Sequence, residues 1–386
     1  FEEYRSRPSL TMQSYLSKKG LSFSLFASKS KFELDYINPH RQSYKKVDRL
    51  YLSPKLSFRK SLPSSLFLFS TGTTYIKHSL DSLEDSTSSP WLEMKYSLFL
   101  DKINKSSVTS LIPVLKYVYV EEGSNNQNNL IDSRIISLDY STIFQRGRFV
   151  GLDRFSKNNK IILGLERVSN RSDNNFYNSL SIGQAFYLNE MFYDEDSTVR
   201  RDTSPLVAEF KTKLNGDFWS KSLLEWDSAS KKVNLASVGL SYQQNDLKRI
   251  EIRSIYRRQD PNKTYIPWMD KDLKTNHTEL VTQWPLSKSV NLFAKWQKDH
   301  ERNKSNDILF GFEYSNCCLK WGLMHRKWIE EDYFSWKNYY TTSLQALSEG
   351  LDPSIDRSKT YFFFELKNIG RLGKEISRTL SSTKLE

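Results

Sequence analysis

Cys317 and Cys318 are the residues best placed to form a covalent bond, and they are adjacent, in Gly311-Phe312-Glu313-Tyr314-Ser315-Asn316-Cys317-Cys318-Leu319-Lys320-Trp321-Gly322; the sequence holds no other cysteine. They fall at the start of an alternating segment. Consecutive residues of a strand face opposite sides, so a bond between the two thiols would strain the peptide between them. If both are oxidised, their partners must lie on a segment outside this sequence. Two reduced thiols packed as small apolar groups are the alternative that residue chemistry leaves open.

Other chemistries find little support. His40, His78, His277, His300 and His325 are scattered and make no paired-ligand spacing, so no metal site is expected. There is no GxSxG elbow, and a hydrolytic Ser, His and Asn set assembled across distant strands has no motif to anchor it. Gly370-Arg371-Leu372-Gly373-Lys374 is too short between glycines for a phosphate loop and continues with Glu375 where Ser or Thr is needed. No catalytic residue and no cofactor is expected. Arg249, Arg253 and Arg257 form the cleanest cationic row, suited to an anionic, phosphate-bearing ligand or to a partner inside the fold. Pairing with Glu251 and neighbouring acids to hold the wall is the competing role. The net charge of +12 is spread over the whole length without a dense basic block, which argues against nucleic acid.

The elements that must position these residues are strands. Aromatic residues make up 14% of the 386 residues while mean hydropathy is only -0.61, the combination a sheet with one apolar and one wet face requires. No apolar run is long enough for a helical span, but alternation halves the apparent hydrophobicity of a spanning strand. From Lys248 to Arg258, Ile250, Ile252 and Tyr256 fall on one side and Arg249, Glu251, Arg253 and Arg257 on the other. The pattern recurs from Ile308 to Ser315 and from Leu319 to Arg326. Similar segments lie at Pro8 to Leu16, Gly20 to Ala27, Leu50 to Phe58, Leu66 to Ile76, Trp91 to Leu100, Leu111 to Val120 and Lys160 to Val168. They continue at Leu180 to Leu188, Leu206 to Leu214, Phe218 to Trp226, Val233 to Tyr242, Leu280 to Leu286, Val290 to Trp296 and Lys359 to Leu366. The expectation is about seventeen strands, all-β and antiparallel, forming part of a large transmembrane barrel. Tight hairpins at Asn215-Gly216, Gln244-Asn245-Asp246 and Ser287-Lys288 alternate with long polar connections at Glu121 to Asp153, Gln259 to Asn276 and Ile329 to Arg357. Short turns on one rim and long loops on the other fit an outer-membrane barrel, and a propeller's regular repeat is missing. Pro54, Pro113 and Pro285 each remove a ladder donor. The chain starts at Phe1 without Met or a signal pattern, so it reads as part of a longer protein.

Several patches, in order, resemble the LptD family of outer-membrane lipopolysaccharide-assembly proteins. They are Tyr4-Arg5 with Pro8 and Leu10; Arg49-Leu50-Tyr51-Leu52-Ser53-Pro54; Gly151-Leu152-Asp153-Arg154 with Asn159 and Gly164; and Ser181-Ile182-Gly183-Gln184 with Phe186-Tyr187. Trp284-Pro285-Leu286, Gly311 with Tyr314 to Cys318, and Phe364-Glu365-Leu366-Lys367 with Gly370 complete the series. The resemblance implies that residues 1–386 are the C-terminal portion of one barrel domain of roughly 26 strands in the Gram-negative outer membrane. An N-terminal periplasmic jellyroll and the first strands would lie outside this sequence. It further implies transport of lipopolysaccharide to the outer leaflet through lateral opening, with no enzymatic step. The expected partners are an LptE-like lipoprotein plug in the lumen, the periplasmic lipopolysaccharide bridge, lipopolysaccharide itself and outer-membrane lipids. By motif match, Cys317 and Cys318 would bond to cysteines of the N-terminal region. Tyr361, Phe363 and Glu365 would lie on the last, gate strand. A passive porin or substrate-specific channel is the alternative, which the cysteine pair disfavours.

Overall fold

The computed structural model describes residues 5–6, 9–33, 46–80, 83–121, 133–147, 149–153, 157–171, 176–192, 200–245, 247–258, 275–301, 303–331, 354–366 and 370–372. Among them, seventeen strands of nine or more residues follow one another from Leu10–Lys18 to Ser354–Leu366. Each long strand pairs antiparallel with the next, giving a single up-and-down meander. Leu10–Lys18 is laddered to Leu21–Glu33, and all nine of its residues are exposed. At the far end, Gly370–Leu372 pairs with Phe364 to Leu366. The strand expected from Lys359 therefore starts at Ser354 and is followed by a further short strand.

The period-two pattern sorts side chains as the sequence requires, with an inversion that identifies the solvent. Ile250 and Ile252 are 39% and 46% exposed while Glu251 between them is 3% exposed. Phe310 is exposed and its neighbour Asp307, on the other face, is buried. A water-soluble sheet would bury the apolar residues and expose the acid; a membrane barrel faces the greasy side to lipid and gathers the charges inside. The sheet is thus the wall of a transmembrane β-barrel. No helix among the described residues is long and apolar enough to cross a membrane.

Aromatic residues mark one end of the outer face. The Phe218 and Tyr242 rings lie 4.9 Å apart, Tyr242 and Trp284 6.3 Å, and the Lys248 ammonium sits 4.6 Å above Trp284. Amphipathic rings with a lysine suit the level of lipid head groups. These residues sit beside the short turns; in one of them, Lys19-Gly20, both residues have positive φ, the arrangement of a type I′ two-residue hairpin. A Cβ at Gly20 would meet the Arg59 carbonyl at 2.5 Å, so only glycine fits there. The strand ends at the opposite rim are separated in sequence by longer intervals, 34–45, 121–157, 193–205, 258–274 and 332–353, interspersed with the short ones 81–82, 228–231 and 300–303. The expected Gln259 to Asn276 loop thus gives up Thr275 and Asn276 to a strand, and the rest of it lies outside the described residues.

Candidate functional site

The inner face of the wall is an ion network that runs across strands rather than along them. Arg253 donates to Glu279 at 2.6 Å; Lys295 lies 3.0 Å from Glu279 and 3.1 Å from Asp307; Arg326 reaches both oxygens of Asp307 at 2.8 and 3.0 Å. These five residues come from five consecutive strands and alternate in sign. Beside them, Lys320 pairs with Glu313 at 3.1 Å. Beneath the network Val281, Phe293, Leu309, Met324 and Phe363 form a buried apolar cluster, and the Phe363 ring lies against Gly322, where a Cβ would approach it to 2.3 Å. Register sets this arrangement, because residues opposite each other in a ladder share a face.

A second feature is a connecting segment that turns inward. Residues 133–147 and 149–153 lie against the inner face instead of projecting from the rim. The segment is organised by a two-residue ladder, Ile135 with Phe149 and Arg134 with Val150, and by a short 3-10 helix, Thr142–Phe144, whose Thr142 amide donates to Asp139 Oδ1 at 2.7 Å. Its apolar residues Leu138, Ile143 and Phe144 cover Trp91, Val118, Val120, Ile162, Ala185 and Val207 on the wall. Gly164 and Gly183, opposite each other in the ladder, make room for it. A Cβ on Gly164 would meet Phe144 Cζ at 2.5 Å and the Tyr140 hydroxyl at 2.9 Å, and one on Gly183 would meet Tyr140 at 3.3 Å.

Polar ties fix the segment along its length. The Tyr140 amide donates to Glu209 at 2.8 Å, Lys116 to the Phe144 carbonyl at 2.7 Å, and Asn158 to the Arg146 carbonyl at 2.6 Å. The Arg146 guanidinium stacks 3.8 Å above Trp91 and pairs with Glu93 at 3.3 Å. At the far end Asp153, fully buried, pairs with Arg49 and lies 3.4 Å from His78 Nε2. Arg49 is itself 3% exposed, so this is a buried pair for which a partner is obligatory. Burial, with Glu166 and Glu209 nearby, pushes the Tyr140 phenol above its usual range.

The residues expected from sequence fall as follows. Arg249, Arg253 and Arg257 lie on the inner face: Arg249 pairs with Glu251, Arg253 with Glu279, and Arg257 donates to Ser137 Oγ of the inward segment at 3.0 Å. Each therefore has a wall or loop partner. Tyr361 and Phe363 share the inner face with the buried cluster, and Glu365 follows on the same side. Cys317 and Cys318 do not begin a strand; they belong to the exposed turn Asn316 to Cys318, on the rim of short turns. Asn316 Oδ1 accepts from the amides of Cys318 and Leu319 at 3.0 and 2.7 Å, and this local cap bends the chain so that the two Sγ atoms lie 2.8 Å apart instead of facing opposite sides. Arg154 lies outside the described residues, but Asp153 beside it proves to be the anchor of the inward segment. The ion network and the inward segment are the features that sequence reasoning missed. Among the described residues no group of three or more His, Cys, Asp or Glu could hold a metal.

Comparison with known proteins adds a family. Residues 2–296 match the model of a family described as LptD, LPS transport system D. The LPS-assembly protein LptD of Pseudomonas syringae pv. syringae strain B728a is 27% identical over 337 residues, covering 75% of this chain and 36% of that protein. Its counterpart in Pseudomonas syringae pv. tomato strain DC3000 is 29% identical over 321 residues, covering 74% of this chain and 34% of that protein. The chain spans about a third of the length of these curated relatives. Among solved structures, the ferric preacinetobactin receptor BauA from Acinetobacter baumannii superposes with a TM-score of 0.46 at 9% identity, covering 93% of this chain and 65% of that one.

Proposed function

The chain belongs to the LptD family, and on that premise we propose that it forms part of the outer-membrane barrel wall through which lipopolysaccharide is delivered to the outer leaflet. The observation that carries the reading is the opposition of faces: an apolar outer surface beside a charged, hydrogen-bonded inner one. Lipopolysaccharide has acyl chains that belong in lipid and a phosphorylated sugar head that does not. A wall with these two faces suits both halves of such a molecule only if the head can pass inside while the tails leave sideways. Lateral opening at a seam between first and last strands is the corresponding mechanism, with Ser354–Leu366 as the gate-side strand and Tyr361, Phe363 and Glu365 on its inner face.

In this reading Arg249, Arg253 and Arg257 hold the wall and its inward segment, and together with their partners they form part of the inner surface that meets the passing head group or a lipoprotein plug of the LptE kind. Cys317 and Cys318, on the short-turn rim, would tie the barrel to the periplasmic part of the protein, which receives lipopolysaccharide from the inter-membrane bridge. The relatives are named for assembly and not for a reaction, and the chain is read as non-enzymatic. The test is depletion of the complete protein in cells, with lipopolysaccharide at the surface measured by antibody labelling. Surface delivery should fall and recover on complementation; delivery unchanged by depletion would refute the function.

A further inference from the structure

The inward segment meets the wall in two places that differ in kind. Around Ile143 and Phe144 the contact is filled apolar packing. Further along it encloses a cavity of about 130 Å³, lined from the wall by Tyr51, Thr74, Ser89 and Trp91 and from the segment by Arg146 and Phe149.

The sequence of the wall opens this space. Pro54 and Pro90 stand on either side of the strand Ser65–Leu80, and neither has an N–H to give to it. The ladder between Lys46–Leu62 and Ser65–Leu80 is paired at Leu52 with Tyr75 and again at Lys55 with Gly72, but not at the two positions between. Trp91 lies over the end of this gap: a Cβ on Gly72 would meet its Cζ2 at 2.8 Å, so the missing side chain makes room for the indole. The Arg146 guanidinium, 3.8 Å above the ring, holds it from the segment side. Trp91 is 3% exposed, and its indole N–H has no hydrogen-bond partner among the described residues. A buried donor left in that state costs about 1 to 3 kcal/mol, and packing alone would be served by Phe.

The lining calls for an acceptor. Trp91 and Arg146 can only donate, and the Ser89 hydroxyl already donates to the Glu121 carbonyl at 2.6 Å. The Tyr51 and Thr74 hydroxyls can do either, and no carboxylate lines the cavity. Glu93 lies outside the lining and pairs with Arg146 at Nε, 3.3 Å away. A guanidinium beside an indole N–H suits the two oxygens of a carboxylate. A cavity of roughly 150 Å³ holds one benzene ring, so the space here, with Tyr51 and Phe149 on its walls, suits a ligand built on a single ring.

We propose that this cavity is a binding site for a small aromatic carboxylate, with the carboxylate meeting Arg146 and the Trp91 N–H and the ring against Tyr51 and Phe149. Half of the site belongs to the wall and half to the inward segment. A ligand there therefore staples the two and favours the docked segment. The inference rests on that docking and not on the delivery of lipopolysaccharide.

The test uses the complete protein, purified in detergent, with para-fluorobenzoate as the probe in fluorine NMR and para-fluorobenzamide as its neutral counterpart of the same shape. The acid should bind at least about tenfold more tightly, the worth of a hydrogen bond to a charged group. Arg146→Gln should remove that preference, and Trp91→Phe should weaken the acid by about tenfold. With the acid at about ten times its Kd, hydrogen exchange over residues 133–153 should slow about tenfold, with the strands at 275–315 unchanged. Should Arg146→Gln undock the segment by itself, seen as faster exchange without the probe, Trp91→Phe decides, since it leaves Arg146 and its ties in place. Equal binding of acid and amide, full binding by Trp91→Phe, or binding that leaves exchange over 133–153 unchanged overturns the site. Absence of binding at every soluble concentration means a cavity for water only and overturns it too. Because all of this is read on purified protein, such a failure leaves the delivery function to be decided by the depletion experiment.

Discussion

Gly164→Ala should release the inward segment from the wall. The added Cβ would stand 2.5 Å from Phe144 Cζ and 2.9 Å from the Tyr140 hydroxyl, well inside contact distance of two rings at once. Those rings are packed edge to face, 5.3 Å between centres, and Phe144 is held further by its carbonyl's bond from Lys116. Neither can swing clear without disturbing the other. Overpacking of this kind costs about 1 to 3 kcal/mol, which raises the undocked population by roughly 5- to 150-fold. Gly183→Ala supplies an internal scale, since its Cβ would be 3.3 Å from Tyr140 and needs only a small adjustment. Hydrogen exchange by mass spectrometry on residues 133–153 reads the docking equilibrium directly. Protection there should fall sharply in Gly164→Ala, slightly in Gly183→Ala, and remain unchanged in the strands at 275–315. Equal effects from the two alanines, or full protection in Gly164→Ala, would refute the packing argument.

Further outcomes follow from the same geometry. Tyr140→Phe should leave docking unchanged or stronger, because the buried phenol oxygen has no hydrogen-bond partner among the described residues; proteolytic susceptibility of the segment checks this. Docking should also weaken in alkali. The phenol is held above its usual range in the folded protein, so its contribution is complete below about pH 10 and is lost as pH rises through the folded value; exchange protection against pH reads the loss. Asp153→Ala removes the buried carboxylate that pairs with the buried Arg49 guanidinium and should destabilise that end of the segment by about 3 kcal/mol, seen as lower melting temperature and faster exchange near residue 150. In the complete protein, non-reducing gels should shift when Cys317 and Cys318 are replaced together with Ser; an unchanged mobility would contradict the covalent tie to the periplasmic part.

The wall was legible in the sequence because its signal is local. Ile250 against Glu251, or Phe312 against Glu313, reports its face within a few residues, and the expected strands all appear, with their ends moved. What the pattern could not report is pairing between distant residues. Arg49 and Asp153 both lie in patches that carry the family resemblance, yet 104 positions separate them and nothing local announces a salt bridge. The ion network is hidden for the same reason: each member looks like an ordinary charge in an alternating strand until register sets the five side by side. The inward segment escaped because Ile135, Leu138, Ile143 and Phe144 lack a two-residue period and read as a polar connection with scattered apolar residues. An available signal was the pair Gly164 and Gly183, two gaps in neighbouring strands that something bulky had to fill. The turn at Cys317 and Cys318 was misplaced by a single Asn cap, which acts over three residues and overrides the strand pattern after it.

The opposition of faces on which the account rests can be measured in intact outer membranes of cells carrying the complete protein with Cys317 and Cys318 replaced by Ser. Single cysteines at Ile250, Phe310, Arg253 and Asp307 would be treated with a membrane-impermeant maleimide that enters through water, then with a fluorophore quenched by brominated lipid. Positions 253 and 307 should react with the aqueous reagent and resist lipid quenching, while 250 and 310 should do the reverse. If 250 and 310 label as readily from water as 253 and 307 do, these strands do not form a membrane wall.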